Sequence, residues 1–311
     1  MYRNILMITM LGLVLLGCER ELEIPLPEHQ PRLVANCLAV SGAPFQVFVS
    51  RSYGLNEGVR EYDIYLTDAE VRLWRNGVLE EVLTYEQGTP STYNSFGYVS
   101  RHLAQPATHY LLEVRHPDYP ELRQEMVMPG LPQVSAPTFL VDVGLDRDGM
   151  RTQRLYATLR DAPDSVDAYC LAGFYFERSL DSSRTRFPLR GITCMWYPSG
   201  NELTYATTLG YLLPDRDFAG QTVRLGFDAS FVDGLSPDSL YVPAFLVLER
   251  QSWNQPAYRL ASEYADHVSA YRVVDMEILF ASQSALPMYS NAEGGYGVFG
   301  GYVVQRDTLW L

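Results

Sequence analysis

Apolar and polar positions alternate with a period of two along much of this chain, the pattern of strands with one buried and one solvated face. Phe45-Gln46-Val47-Phe48-Val49-Ser50 follows it, with Phe48 as an extra apolar residue. Residues 69–74 lead through Arg75-Asn76-Gly77 into a second run at 78–85. Asn-Gly between two such runs is the preferred pair for a type I′ hairpin turn, where both central residues take positive φ. Residues 98–103, 109–115 and 122–128 supply further short strands. Roughly six or seven strands within 33–130 predict an immunoglobulin-like or transthyretin-like β-sandwich.

Pro129-Gly130-Leu131-Pro132, followed by Pro137, marks a boundary, because such clusters stop strands and rarely sit inside a sheet. Beyond it, residues 138–145, 154–159, 169–177, 222–229 and 241–249 again have strand character. One helix interrupts them. Ala257, Leu260, Ala261, Tyr264, Val268 and Tyr271 fall at helical spacing, with Pro256 in the first turn and the apolar stripe facing the core. Residues 298–311 read as a glycine-rich turn and a last strand. The expectation is a mainly β protein of two sandwich-like domains, 33–130 and a larger 131–311 that carries the helix.

Residues 1–17 break the alternation. One positive charge at Arg3 precedes an uncharged, almost wholly apolar run of 12 residues, Ile5 to Leu16. A helix that crosses the hydrocarbon core needs about 20 apolar residues, whereas a signal-peptide core has ~7–15. Leu15-Leu16-Gly17-Cys18 resembles a bacterial lipobox, in which the Cys18 thiol is joined to diacylglycerol and the new N-terminus is acylated. The reading is a removable lipoprotein signal at 1–17 and an anchored Cys18. Residues 18–32 then form an acidic tether: Glu19, Glu21 and Glu23 open it, and Pro25, Pro27 and Pro31 favour extended polyproline conformation. At ~3.1 Å per residue the tether extends about 40 Å.

Charge narrows the partners. The chain carries 24 basic and 37 acidic residues, a net −13; without Arg3 the basic count is 23 and the net charge −14. That argues against nucleic acid, which needs basic patches, and against charge-driven docking on anionic lipid. Every basic side chain other than histidine is arginine. The absence of lysine excludes Schiff-base chemistry, a P-loop lysine and a kinase-type ATP lysine. Of the four cysteines, Cys170 and Cys194 stand 24 residues apart and are able to pair in an oxidising compartment, which leaves Cys37 as a buried thiol.

Candidate chemistry is sparse. Gly295-Tyr296-Gly297-Val298-Phe299-Gly300 matches G-x-G-x-x-G, but a dinucleotide site needs a following helix and an acidic residue about 20 positions on. The glycines serve tight turns and close backbone packing instead. His102, His109 and His116 recur every seven residues, a spacing that puts neighbours on opposite strand faces, so they read as surface or turn residues. Asp142, Asp146 and Asp148 lack the full calcium-loop spacing, Glu293 and Asp307 have no defined separation, and no G-x-S-x-G occurs. The residues point to no catalytic site, no cofactor and no metal.

Three features together carry a resemblance: the lipobox with its acidic, proline-bearing tether, the β-rich body, and the terminal run from Tyr289 to Tyr302. That run holds Asn291, Gly294, Gly295, Gly297, Phe299 and Gly300. The combination resembles the Bacteroidetes outer-membrane lipoproteins of unknown function that are often encoded beside TonB-dependent receptors. The resemblance implies a lipid-anchored protein of the outer membrane, facing the cell surface, with such a receptor as partner. Its expected role is accessory or ligand-capturing, with tyrosine-rich loops around Tyr53, Tyr93 and Tyr296 as contacts. The competing expectation is a structural, adhesion or assembly module that binds no small molecule.

Overall fold

The computed structural model describes residues 28–54, 57, 64–87, 97–134, 138–145, 151–161, 168–179, 189–193, 195–198, 205–207, 210–230, 241–272 and 289–310. The expected signal at residues 1–17, Cys18, Tyr93, Asp146, Asp148 and Cys194 lie outside them. The protein is mainly β, with several sheets and, among the described residues, a single α-helix.

The first half contributes β1 (Leu33–Val40), β2 (Pro44–Arg51), β3 (Glu70–Arg75), β4 (Val78–Val82), β5 (Thr84–Glu86), β6 (Gly97–Leu103), β7 (His109–His116) and β8 (Tyr119–Val127). The Asn76-Gly77 hairpin is present as predicted: both residues take positive φ, 48° and 80°, and Arg75 faces Val78 across the turn. The run predicted at 78–85 is divided. At Leu83 the chain leaves one sheet for the other: β4 pairs with β3, whereas β5 pairs with β6. Leu83 is buried and keeps a 2.8 Å bond from its N–H to the Val71 carbonyl, so the crossover costs no backbone partner. The Glu81 carboxylate accepts from the Arg101 N–H at 2.9 Å and closes the seam between the two sheets.

The second half contributes β9 (Gln133–Val134), β10 (Thr138–Leu145), β11 (Arg151–Arg160), β12 (Ala168–Ser179), β13 (Leu189–Thr193), β14 (Met195–Pro198), β15 (Tyr205–Thr207), β16 (Gly210–Pro214), β17 (Thr222–Ser230) and β18 (Tyr241–Trp253). It closes with α1 (Gln255–Arg272), β19 (Ala292–Glu293) and β20 (Phe299–Trp310). Gly300 and Gly301, read from sequence as part of a turn, lie inside β20.

Among the described residues, a ten-stranded sheet runs β15-β16-β12-β18-β20-β1-β2-β6-β5, with β13 beside β12. One five-stranded sheet runs β19-β8-β7-β3-β4, and another runs β10-β11-β17-β14 with β9 beside β11. The large sheet is continuous because β20 lies parallel to β1, Cys37 to Val40 facing Phe299 to Tyr302. The last strand of the second unit is therefore also a strand of the first sandwich. Likewise β19 adds to β8, with Ala292 opposite Gln124.

The first core lies between the large sheet and the β19-β8-β7-β3-β4 sheet. Strand β1 alternates, sending Leu33, Ala35, Cys37 and Ala39 inward. They meet Phe45, Val47, Val71, Leu73, Tyr110, Leu112, Leu122 and Phe299. Phe45 packs edge-on against Tyr110 at 4.8 Å between ring centroids. Each fully buried side chain of this size contributes ~1.5–3 kcal/mol, so the core alone commits the strands to these faces. Tyr98 is buried with its hydroxyl between the Ala69 N–H (2.8 Å) and the Leu66 carbonyl (3.1 Å), and burial pushes its phenol up to about 12.

The solvent face of the smaller sheet carries a ladder of arginine–glutamate pairs. Arg72 meets Glu70 at 2.8 Å, Arg115 meets Glu121 at 2.8 Å, and Arg123 meets Glu113 at 3.7 Å. The latter two join β7 to β8 and set register more than they add stability, whereas Arg72 and Glu70 share β3.

The start of the described chain is docked. The Arg32 N–H donates to Ser52 Oγ at 2.9 Å, the Ser52 N–H donates to the Arg32 carbonyl at 2.8 Å, and His29 Nε2 sits 2.9 Å from the same Ser52 Oγ. Residues 29–32, which the prolines assign to the tether, are thus held on the end of β2.

Candidate functional site: the terminal clamp

The sequence motif at 289–302 is where β1, β8, α1 and β20 converge. Asn291 organises it. Its Oδ1 accepts from the Phe299 N–H at 2.9 Å and its Nδ2 donates to the Phe299 carbonyl at 2.9 Å. One side-chain amide thereby imitates a strand neighbour, meeting both polar groups of Phe299 as a ladder residue would. The same Nδ2 donates to the Glu125 carbonyl on β8 at 3.1 Å. Ser290 Oγ donates to the Gly297 carbonyl at 2.9 Å and accepts from the Ala292 N–H at 3.2 Å.

From this fold the chain knits onto β1. The Tyr296 N–H donates to the Leu33 carbonyl, the Ala35 N–H to the Tyr296 carbonyl and the Cys37 N–H to the Val298 carbonyl, at 2.9, 2.9 and 2.8 Å. Asn36 Oδ1 accepts from the Val298 N–H at 3.0 Å. The glycines are placed where strands approach too closely for a side chain. A Cβ on Gly294 would overlap the Glu121 carbonyl, on Gly295 the Leu33 carbonyl, on Gly297 the Ala35 carbonyl and on Gly300 the Ala257 backbone nitrogen. Gly297 adds a φ of +113°, a conformation that L side chains rarely adopt.

Asn254, which the sequence reading passed over, ties the helix to the same junction. Its Oδ1 accepts from the Ala257 N–H at 3.1 Å as an N-cap and from the Gly301 N–H at 3.0 Å. Its Nδ2 donates to the Val127 carbonyl at 3.0 Å. Asn followed by Pro256 before an apolar helical stripe is a start signal, and that signal was readable. Next to it, Trp253 is buried, donates through Nε1 to Gln251 Oε1 at 2.8 Å and stacks on Tyr302 at 4.8 Å. Replacing Asn254 by Ala strands the buried N–H groups of Ala257 and Gly301. Unpaired buried groups cost ~1–3 kcal/mol each, so Asn254→Ala should lose about 3–5 kcal/mol in denaturant unfolding, and Asn254→Asp, which keeps the acceptor, about half of that.

The other candidates are dispersed. His102 lies 3.3 Å from Glu81 and 3.6 Å from Glu80, His109 lies 3.3 Å from Glu125, and His116 lies 3.3 Å from Asp68. Each histidine has its own carboxylates and the three share none. His116 sits at the β7–β8 turn opposite Tyr119, with its side chain only 6% exposed and its ring against Tyr119 at 5.1 Å. Glu293 pairs in register with Arg123 on β8, whereas Asp307 pairs with Arg250 across β18 and β20, so these two carboxylates belong to different places. Among the described residues no three His, Cys, Asp or Glu side chains converge as metal ligands. The buried Asp161 carboxylate accepts from the Tyr169 hydroxyl at 2.7 Å and the Gly220 N–H at 2.6 Å, which pins a turn.

Cys37 is buried in the first core, and desolvation pushes its thiol up to about 12, far from a reactive thiolate. Cys170 is also buried, with burial and then the nearby Glu249 charge pushing its thiol up to about 12. Its proposed partner Cys194 is outside the described residues.

Fold and site together define a β-sheet protein whose most distinctive motif is spent on closing the structure. The profile of a family described as a domain of unknown function, DUF4249, matches residues 19–308, and the chain belongs to that family. The match runs from the residue after Cys18, through both halves, into β20. No curated protein matches the chain significantly.

Proposed function

We propose that the protein is an outer-membrane lipoprotein, anchored through Cys18 and facing the cell surface, that serves a TonB-dependent transporter as an accessory or ligand-capturing subunit. The observation that carries this reading is the use made of the terminal motif. Its polar atoms are bound to the protein's own backbone, which leaves recognition to the surface of a rigid body rather than to a reactive centre. The proposal treats the protein as non-catalytic. No described helix is long and apolar enough to cross a membrane, and the net charge of −13 is wrong for holding an anionic surface, so attachment falls to the acyl chains of Cys18.

Protease added to intact cells tests the orientation. The expected result is release of the body by cleavage on the N-terminal side of His29, since residues 29–32 are held on β2. Full protection of the tether would place the body on the periplasmic side. Purification from native membranes then tests the partner: a transporter barrel in stoichiometric amount supports the reading. Recovery of the body alone, or with envelope proteins of another kind, favours a structural or assembly module.

A further inference from the structure

The start of β1, the end of β2 and the turn that leads into β20 meet at one end of the first sandwich. Arg32 faces Ser52 through two hydrogen bonds, Tyr53 follows Ser52, and on the other side of β1 the Tyr296 N–H bonds the Leu33 carbonyl. The Arg32 guanidinium lies 5.9 Å from the centre of the Tyr296 ring. Tyr296 thus lies beside Arg32, Tyr53 is next in the chain to its partner Ser52, and Tyr53 and Tyr296 are 52% and 45% exposed. Within this acidic protein, Arg51 at this end pairs with Glu57 at 2.8 Å, which leaves that pair without net charge.

We propose that this end, with Tyr53, Arg32 and Tyr296, rests in the headgroup region of the membrane that holds Cys18. The inference rests on the lipid anchor proposed above. Cys18 and Glu28 are ten residues apart, and a chain spans at most ~3.6 Å per residue, so this end stays within about 36 Å of the lipidated residue. A short tether raises the effective concentration of its two ends to the millimolar range, at which weak contacts become populated. Tyrosine suits that contact, with an apolar ring and a polar tip, and is enriched at membrane–water interfaces. Arginine beside it reaches lipid phosphate with a planar fork of donors. The neutral Arg51–Glu57 pair adds no repulsion of its own beside them.

The test uses the full, lipidated protein in nanodiscs, with added tryptophan as probe and brominated phospholipid as quencher. Tyr53→Trp and Tyr296→Trp report on the proposed contact. Val78→Trp reports on the far end: its hairpin bonds His109, and the neighbouring Thr108 bonds Met128, which packs at Gly301 beside Ala39. Strand β1 has eight residues, which puts that end about 26 Å away at ~3.3 Å per residue. The expected result is loss of most of the added emission at 53 and 296, and none at 78. Equal quenching at all three sites overturns the proposal. So does protein that floats with the lipid while 53 and 296 stay unquenched, or become shielded only when a transporter barrel is added. Protein that fails to float at all refutes the anchor itself, which keeps the two failures distinct.

Discussion

Replacing Gly297 by alanine should cost the protein at least ~4 kcal/mol, a large share of the 5–15 kcal/mol typical of a folded domain. Two effects add. The backbone at Gly297 has a φ of +113°, and a side chain there carries ~1–3 kcal/mol of strain. The new methyl group would also overlap the Ala35 carbonyl, a backbone atom in the middle of a core strand. Relief requires β1 to move away, which weakens the Ala35–Tyr296 and Cys37–Val298 hydrogen bonds on either side. Gly77→Ala isolates the first effect. Gly77 has a φ of +80°, but nothing lies within 4 Å of its Cβ position, so about 1 kcal/mol is expected. Denaturant midpoints of the two variants decide the matter. Equal losses would mean that the close approach of the motif to β1 contributes nothing.

Cys18→Ala should abolish lipid anchoring. Each buried methylene of an acyl chain contributes ~0.8 kcal/mol, and two or more chains give durable anchoring, so no compensating contact from an acidic surface can replace them. Incorporation of labelled fatty acid should fall to background, and the chain should retain residues 1–17. Continued labelling of the variant would refute the assignment of Cys18. The proposed contact of Tyr53 and Tyr296 predicts no rescue, because weak interfacial binding counts only while the tether supplies its effective concentration.

Strand periodicity made much of this fold legible. The Asn76-Gly77 turn is specified by two adjacent residues, and alternation along β2, β7 and β8 reports which side is buried. The helix at 255–272 was visible in its spaced apolar residues. What local pattern does not carry is partnership between distant strands. Nothing in residues 33–40 announces a parallel neighbour near residue 300, and parallel pairing leaves no hairpin signal. The division at Leu83 was hidden for a related reason: a strand that changes sheets keeps its alternation while its neighbours change. The terminal glycines were recognised as a packing device, but the atoms they admit, the carbonyls of Leu33, Ala35 and Glu121, belong to segments far away in sequence. Asn254 carried a readable helix-start signal, but its bond to Gly301, like that of Asn36 to Val298, was hidden, because an asparagine that satisfies distant buried backbone looks, in sequence, like any surface asparagine.

The parallel pairing of β1 with β20 also sets an order of events. The contact from Asn36 to Val298 closes a span of 262 residues. Loop-closure entropy for that length is about 5 kcal/mol on the (3/2)RT ln n scale, and it must be overcome before any of the surrounding hydrogen bonds form. Proteins dominated by such contacts fold slowly. Strand β1 leaves the ribosome early and waits for β20, so its exposed edge stays unpaired for most of synthesis. A fold that locks only when β20 arrives has a built-in delay against closing too soon.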